Sequence, residues 1–143
     1  MTVSTRGRYA LRVMVELAEH GNEFIPLKTV AERQNISQKY LESIMTGLSK
    51  AGLVEGAHGK GGGYRLCREP ENYTVREILE ITEGELAPVA CLKKDSPACD
   101  MAERCRTLPM WRELYKTLNS FFDSYTVADL AANGSEDRGS WII

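Results

Sequence analysis

Three of the four cysteines in this 143-residue chain lie in one predicted loop, residues 85–107, with the spacing C-x7-C-x5-C. They are Cys91, Cys99 and Cys105. Cysteine thiolates are the usual protein ligands of iron–sulfur clusters, and they also suit zinc. Positive charge near a thiol stabilises the thiolate. The loop carries four such cations: Lys93, Lys94, Arg104 and Arg106. The cysteine loop therefore favours a bound metal or cluster over free thiols.

The remaining cysteine and the two histidines do not complete this set of ligands. Clusters and zinc sites normally have four protein ligands, so one position is left unassigned. Cys67 falls on a predicted strand and is interpreted as a buried structural thiol. No C-x-x-C pair is present, and neither His20 nor His58 has an evident nucleophilic partner. A redox enzyme or electron carrier is thus the weaker interpretation, and the chain is predicted not to be an enzyme.

Charge is distributed unevenly along the chain. Residues 1–68 carry ten Lys/Arg and six Asp/Glu, a net charge of +4, whereas residues 69–143 carry eight and fourteen, a net charge of −6. A basic first half predicts an anionic partner such as nucleic acid, with chance surface charge as the alternative. The sequence has neither the apolar core of a secretory signal nor the roughly 18 consecutive apolar residues needed to span a bilayer. A cytoplasmic location is expected, where clustered cysteines are rarely disulfide-bonded.

The residues ahead of the cysteine loop predict a helix-turn-helix. Apolar residues at helical spacing indicate a first helix over about residues 9–18 and a short second helix after Pro26. A tight turn at Asn35 follows, and Ser37 is suited to cap a third helix that buries one apolar stripe and ends at Gly52. The last helix of such a pair enters the major groove of DNA. The alternative is any three-helix core with a hairpin.

Two sets of residues are the candidate DNA contacts. The first lies on the exposed side of the third helix, near its start: Gln38, Lys39, Tyr40, Glu42 and Ser43. Such side chains can bond to base edges or phosphates. The second lies at the glycine-rich tip of a predicted β-hairpin, or wing: His58, Gly59, Lys60 and Gly61. Glycines permit close approach of the backbone to phosphate, and a lysine adds charge. A simple flexible hairpin tip is the alternative, and the tip matches neither common nucleotide-binding loop motif.

The second half of the chain predicts a helical dimerisation element. A capping box at residues 74–77 predicts a helix ending at Gly84, which completes a DNA-binding domain over residues 1–84. A long helix and a short terminal helix are predicted over residues 108–132, and residues 133–143 are predicted to be a flexible tail. The long helix is the fifth that the sequence predicts, so it is labelled α5. Large apolar residues repeat along it at 3-4-3-4 spacing and are here called the α5 seam: Trp111, Leu114, Leu118, Phe121 and Tyr125. Heptad spacing favours a homodimer, with a core-facing helix as the alternative. The predicted fold class is mainly α with a small β-hairpin wing.

Several segments together resemble the IscR-type winged helix-turn-helix regulators of iron–sulfur metabolism, over about residues 1–132. The matching segments are residues 4–10, 31–37, 50–54 and 59–64, the three loop cysteines, and residues 111–114. The resemblance implies a homodimer that binds palindromic double-stranded promoter DNA and acts as a repressor. It also implies an iron–sulfur cluster, 2Fe–2S or 4Fe–4S, held by the three loop cysteines. Its presence or loss would change which DNA sites are bound.

The chain departs from the family pattern at the fourth ligand. The best-known cluster-biogenesis members have a histidine three residues after the last cysteine, where this chain has Leu108. The nitric-oxide-sensing branch uses an aspartate near the N-terminus, where this chain has Arg8. The fourth position is then open, external, or filled by a residue such as Asp95, Asp100 or Glu103.

Two further positions bear on which DNA is bound. The wing arginine of family members is replaced here by His58, which predicts a different target sequence. Glu42 matches a family glutamate that helps to discriminate between classes of target site. The competing interpretation is a winged-helix regulator without a cluster that is controlled by a partner protein, or one that holds a structural zinc.

Overall fold

A computed structural model describes residues 2–136, which form six α-helices and one two-stranded antiparallel sheet. The helices are α1 (Thr5–Ala18), α2 (Leu27–Gln34), α3 (Gln38–Lys50), α4 (Val75–Glu83), α5 (Leu108–Asp123) and α6 (Val127–Glu136). The strands are β1 (Val54–Ala57) and β2 (Gly63–Leu66), and short 3-10 turns cover Pro70–Asn72 and Ala90–Leu92. The mainly α fold with a hairpin wing, predicted from the sequence, is confirmed. None of the helices described is both long and apolar enough to cross a membrane.

The α2–α3 pair has the tight turn and the caps that the sequence predicts. Asn35 ends α2 in the left-handed conformation, with φ of 54°, which asparagine tolerates better than most residues. Ser37 caps α3, because its Oγ accepts a hydrogen bond from the backbone N–H of Tyr40 at 3.2 Å. Gly52, with φ of 77°, ends the segment, and Leu53 donates back to the Leu48 carbonyl at 3.0 Å. One face of α3 is thereby fixed in the core.

The wing is attached to the helical core through β2. Ile25, just before α2, exchanges two backbone hydrogen bonds of 2.9 Å with Tyr64 of β2, which extends the hairpin by one bridge. Gly63 permits this approach, because a Cβ at that position would collide with the Ile25 carbonyl, and because its φ of 142° disfavours other residues. The tip-side end of β2 is therefore fixed relative to the start of α2.

Tyr73 fastens both ends of the hairpin and has no exposed surface. Its hydroxyl donates to the Leu53 carbonyl at 2.6 Å and accepts from the backbone N–H groups of Cys67 at 3.0 Å and Arg68 at 2.9 Å. The prediction of a buried Cys67 is wrong. Because β2 ends at Leu66, Cys67 lies beyond the strand and its side chain is exposed.

The segment that begins with α4 and ends at α6 has its two ends side by side. The start of α4 pairs with the start of α6, since Val75 donates to the Tyr125 carbonyl at 2.9 Å and Val127 donates to the Tyr73 carbonyl at 3.0 Å. Thr126 and Asp129 form a reciprocal capping box at the start of α6. This helix continues to Glu136, past the predicted boundary at residue 132, and the rest of the predicted tail lies outside the described residues.

Candidate DNA-binding surface and cysteine loop

The outward face of α3 carries the predicted recognition residues. Gln38, Lys39, Glu42 and Ser43 are exposed, and Tyr40 is half-buried. The opposite face is closed into the core, where α3 contributes four buried residues: Leu41, Ile44, Met45 and Leu48. Because the buried face fixes the rotation of the helix, the exposed polar side chains all point to one side, as a helix that enters a DNA groove requires.

Contacts with α1 involve two of these predicted residues. The Tyr40 ring packs edge-on against Tyr9 with the ring centroids 5.9 Å apart. Arg6 donates from Nη1 to Ser43 Oγ and from Nη2 to the Ser43 carbonyl, both at 3.0 Å. Ser43 is thus also a point where α3 is attached to α1. Sequence reasoning missed Arg6, although an arginine in the first turn of α1 was the available signal.

The wing tip is exposed and its backbone depends on glycine. His58, Gly59, Lys60 and Gly61 are all exposed. Gly59 and Gly61 have φ of 86° and 79°, in the left-handed region that other residues disfavour. The Gly62 N–H donates to the Gly59 carbonyl at 3.0 Å, so the tip is a defined turn. Backbone without side-chain bulk, next to a lysine, is suited to contact with phosphate.

The three loop cysteines are free thiols accessible to solvent. Cys91 and Cys99 are exposed and Cys105 is partly exposed. The Thr107 hydroxyl, 3.4 Å from Cys105 Sγ, lowers the pKa of this thiol from its usual value by hydrogen bonding. Asp95, Asp100 and Glu103, the alternative ligands, are exposed too.

These donors suit an iron–sulfur cluster or zinc in chemistry but are not gathered into a site. Within residues 2–136, no group of three or more His, Cys, Asp or Glu side chains is arranged to hold a metal ion. Three accessible thiols on one loop are the right kind of ligand for either group. Leu108 is buried at 7% exposure, so the position of the family histidine is part of the apolar packing here. The loop would have to close to bring the three thiols together.

One carboxylate joins the start of the cysteine loop to α5. Glu85 accepts two hydrogen bonds from the backbone N–H of Lys94, at 3.1 and 2.9 Å to its two oxygens. The Tyr115 hydroxyl donates to Glu85 Oε1 at 3.1 Å, and burial together with this carboxylate raises the pKa of Tyr115. Glu85, which follows the end of α4, therefore links the cysteine loop to α5 by hydrogen bonds.

The α5 seam is an apolar stripe that its own chain leaves partly uncovered. Phe121 is 55% exposed and Tyr125, which the sequence placed on the long helix but which lies two residues past the end of α5, is 40% exposed. Trp111, Leu114 and Leu118 are half-buried. Of the sixteen residues of α5, all of which the structure describes, two are buried: Leu108 and Asn119. The structure therefore leaves this stripe only partly packed against its own chain, and the homodimer through it stays a prediction.

The whole chain is similar to known transcription regulators. The family model described as "Rrf2: Iron-dependent Transcriptional regulator" matches residues 3–133. The HTH-type transcriptional regulator IscR of Aliivibrio salmonicida is 36% identical over 141 residues, which cover 98% of this chain and 83% of that protein. The HTH-type transcriptional regulator CymR of Bacillus subtilis is 37% identical over 144 residues, which cover 100% of this chain and 99% of that protein.

Solved structures give the same likeness. CymR of B. subtilis, described as its global cysteine regulator, superposes with a TM-score of 0.76 at 36% identity, covering 93% of this chain and 98% of that one. IscR of T. potens superposes with a TM-score of 0.76 at 34% identity, covering 96% of this chain and 91% of that one.

Proposed function

The chain belongs to the Rrf2 family of transcriptional regulators, which bind DNA and are not enzymes, and we propose that it is a homodimeric repressor of palindromic promoters that senses an iron–sulfur cluster. The observation that carries the DNA-binding part is the exposed polar face of α3 beside an exposed glycine-rich wing tip. The observation that carries the sensing part is three accessible thiols on one loop.

In this proposal each protomer places α3 in the major groove and the wing tip on the phosphate backbone. Gln38 and Glu42 are suited to base edges, because glutamine pairs with adenine and glutamate accepts from cytosine. Lys39 can reach guanine or phosphate. In a symmetric dimer the two α3 helices would lie about 34 Å apart, one turn of DNA, which gives the operator its palindrome.

Replacing Lys60 with Ala is expected to weaken binding to all DNA sequences alike. The exposed ammonium group at the wing tip would contact phosphate, and each such contact releases about one counterion. The slope of log affinity against log salt should therefore become shallower by about 1 for each lysine lost. Fluorescence anisotropy with a specific and a random duplex at several salt concentrations measures this. Lys116→Ala, which removes an exposed lysine from α5, is the matched control, and an unchanged slope for Lys60→Ala would contradict a phosphate contact.

For the sensing part, Cys91, Cys99 and Cys105 would each supply one thiolate ligand. An iron–sulfur cluster, when bound, supplies a redox-sensitive group whose occupancy can report iron, oxygen or nitric oxide. The protein's own contribution is to hold the donors on a loop whose first residues are hydrogen-bonded through Glu85 to Tyr115. Closing the loop around a ligand would then act on the junction between α4 and α5.

Anaerobic purification tests the sensing part. We expect brown protein containing iron and inorganic sulfide, whose colour bleaches in air. Cys99→Ala should lose the visible absorption and most of the iron, because two thiolates from the loop are too few to hold a cluster that normally has four protein ligands. Cys67→Ala, an equally exposed cysteine outside the loop, is the matched control and should keep both. Reconstituted wild-type protein with neither iron nor sulfide would exclude the cluster, and stoichiometric zinc instead would indicate a structural metal site.

A second candidate function is a regulator without a cluster that responds to a partner protein. The absence of a cluster is favoured by the full-length similarity to CymR, described as a global cysteine regulator, and by the buried Leu108 at the position where the cluster-biogenesis members have a histidine. Under this candidate, colourless protein should bind the promoter with the same affinity whether or not the three loop cysteines are replaced by Ala. Loss of affinity in the triple variant would argue for a role of the thiols.

We also propose that the α5 seam forms the homodimer interface. The seam combines heptad spacing with large side chains that are exposed in the protomer, Phe121 at 55% and Tyr125 at 40%. The rings of these two residues lie 5.3 Å apart and form a continuous apolar surface. A second copy of the same helix would cover this surface, because a two-fold interface places one patch against itself.

A further inference from the structure

Residues 2–6, here called the N-terminal strap, run from beside the end of α4 into the first turn of α1. Ser4 is the cap of α1, since its Oγ accepts from the Gly7 N–H at 3.1 Å. The same residue is held by Glu83, the last residue of α4, which accepts from the Ser4 backbone N–H at 3.0 Å and also from the Ser4 hydroxyl. Gly7 leaves room for this carboxylate, because a Cβ at Gly7 would collide with Glu83 Oε1.

The other end of the strap contacts α3, the helix proposed to enter the major groove. The Arg6 guanidinium makes two parallel hydrogen bonds, to the hydroxyl and to the carbonyl of Ser43, both 3.0 Å long. A two-pronged contact of this kind restrains position as well as distance, since a guanidinium presents its donors in a rigid plane. Glu42, next in sequence to Ser43, is a candidate base contact.

The strap therefore closes a chain of contacts between the two functional parts of the molecule. Glu85 holds the cysteine loop through the Lys94 N–H, and it is separated from Glu83 by Gly84 alone. Glu83 holds Ser4, and Arg6, two residues further along the chain, holds Ser43. The bonds from Ser4 to Glu83 are partly buried, which limits competition from water, whereas the bonds from Arg6 to Ser43 are exposed.

We infer that Ser4 and Arg6 are positioning residues that transmit the state of the cysteine loop to α3. This inference rests on the proposed function and adds the route by which the loop acts. A shift of the loop displaces Glu85 and the end of α4, and Glu83 carries that shift to Ser4. Arg6 then moves Ser43, so the recognition face of α3 changes its angle in the groove. Arg6 itself touches no base in this role.

Two other routes could link these residues to DNA binding. One is direct contact of Arg6 with phosphate, and the other is packing of α4 against α3. Arg6 carries a positive charge and lies near the DNA-binding face, so its guanidinium could bind phosphate itself. In addition, α4 packs against α3, so the loop could act through that packing without the strap. The first route needs the positive charge of Arg6 and the presence of DNA. The second route needs no contact by the Arg6 side chain.

Arg6→Lys keeps the charge and loses the rigid two-pronged bond to Ser43. Because it would also weaken a two-pronged contact with phosphate, amide exchange of α3 measured without DNA is what separates positioning from phosphate contact. We expect Arg6→Lys to weaken binding to the promoter about tenfold, because charge-assisted hydrogen bonds are lost. The slope of log affinity against log salt should stay unchanged, because the charge is kept. Glu83→Ala should give a similar loss. The double variant should lose about tenfold in total, no more than either single variant, since both residues act in one chain of contacts. Wild-type affinity for Arg6→Lys, or a loss of about a hundredfold in the double variant, would overturn the strap.

Hydrogen–deuterium exchange of the α3 amides tests the route without DNA. Glu85→Ala releases the loop, and we expect it to raise α3 exchange about fivefold in the wild-type background and to add nothing in the Arg6→Lys background. An equal increase in both backgrounds, or none in either, would overturn the strap. Failure of the wild-type protein to bind promoter DNA would reject the proposed function instead, while the exchange result would still decide on the strap.

Discussion

Phe121→Asp is expected to convert the protein to a monomer and to lower its affinity for palindromic DNA by at least about a hundredfold. Phe121 is 55% exposed in the protomer and is the most exposed residue of the α5 seam. Burying an aromatic ring in an interface contributes about 1.5–3 kcal/mol, and an isologous dimer loses it twice. The two carboxylates would in addition be placed in an apolar surface without partners. A monomer can occupy one half-site at a time, so the joint binding of two half-sites is lost.

Sedimentation velocity and a titration with promoter DNA measure the two parts of this expectation. Ser120→Asp introduces the same charge at an exposed neighbouring position outside the seam, so it should leave both the dimer and the affinity unchanged. A Phe121→Asp protein that remains dimeric would place the subunit interface elsewhere. The same variant should keep its thermal stability as a folded protomer, because an exposed side chain is replaced.

Tyr73→Phe is expected to lower the free energy of unfolding by about 2–3 kcal/mol, a large effect for the loss of one oxygen. The Tyr73 hydroxyl is fully buried and makes three hydrogen bonds, to the Leu53 carbonyl and from the N–H groups of Cys67 and Arg68. Its removal deletes three hydrogen bonds and takes the hydroxyl partner away from the Arg68 N–H, although the Cys67 N–H keeps its own bond of 3.3 Å to the Leu53 carbonyl. Because these groups lie on both sides of the hairpin, the base of the wing should open.

Urea unfolding followed by circular dichroism measures the change. Tyr115→Phe is the matched control, since that hydroxyl makes one hydrogen bond at a half-buried position and its loss should lower the free energy of unfolding by less than about 1 kcal/mol. Equal losses in the two variants would mean that the three bonds of Tyr73 have no special role. Exchange of the β1 and β2 amides should rise in Tyr73→Phe and not in the control.

The parts of the fold that are encoded locally were predictable from the sequence. Ser37, Thr74 and Thr126 are helix caps because an oxygen two or three residues from a free N–H needs no distant partner. The turn at Asn35 follows from the same kind of short-range preference. Boundaries were less certain, since α6 extends to Glu136 and β2 stops at Leu66. Cys67 follows the buried Leu66, and because side chains alternate along a strand it would face away from the core even if β2 continued, although cysteine is commonly a buried residue.

Contacts between distant segments were not predictable, because no periodicity encodes them. Arg6 and Ser43 are 37 positions apart and Ser4 and Glu83 are 79 apart. The cysteine spacing identifies the ligand chemistry, yet it does not determine how close the thiols are, and in the described residues no such group forms a metal site. The α5 seam lies between these cases: its spacing predicts an apolar stripe, and the structure adds that the stripe is exposed.

The pairing of Val75 with Tyr125 and of Val127 with Tyr73 has an evolutionary consequence. The two ends of the segment that contains α4, the cysteine loop and α5 are hydrogen-bonded to each other, so a change in the length of the loop between α4 and α5 need not separate these ends. The entropy of closing a loop rises only with the logarithm of its length, by about 0.6 kcal/mol for each doubling. Lengthening or shortening the cysteine loop should therefore cost the protomer little stability, so proteins descended from this one could vary that loop without rebuilding the rest of the fold.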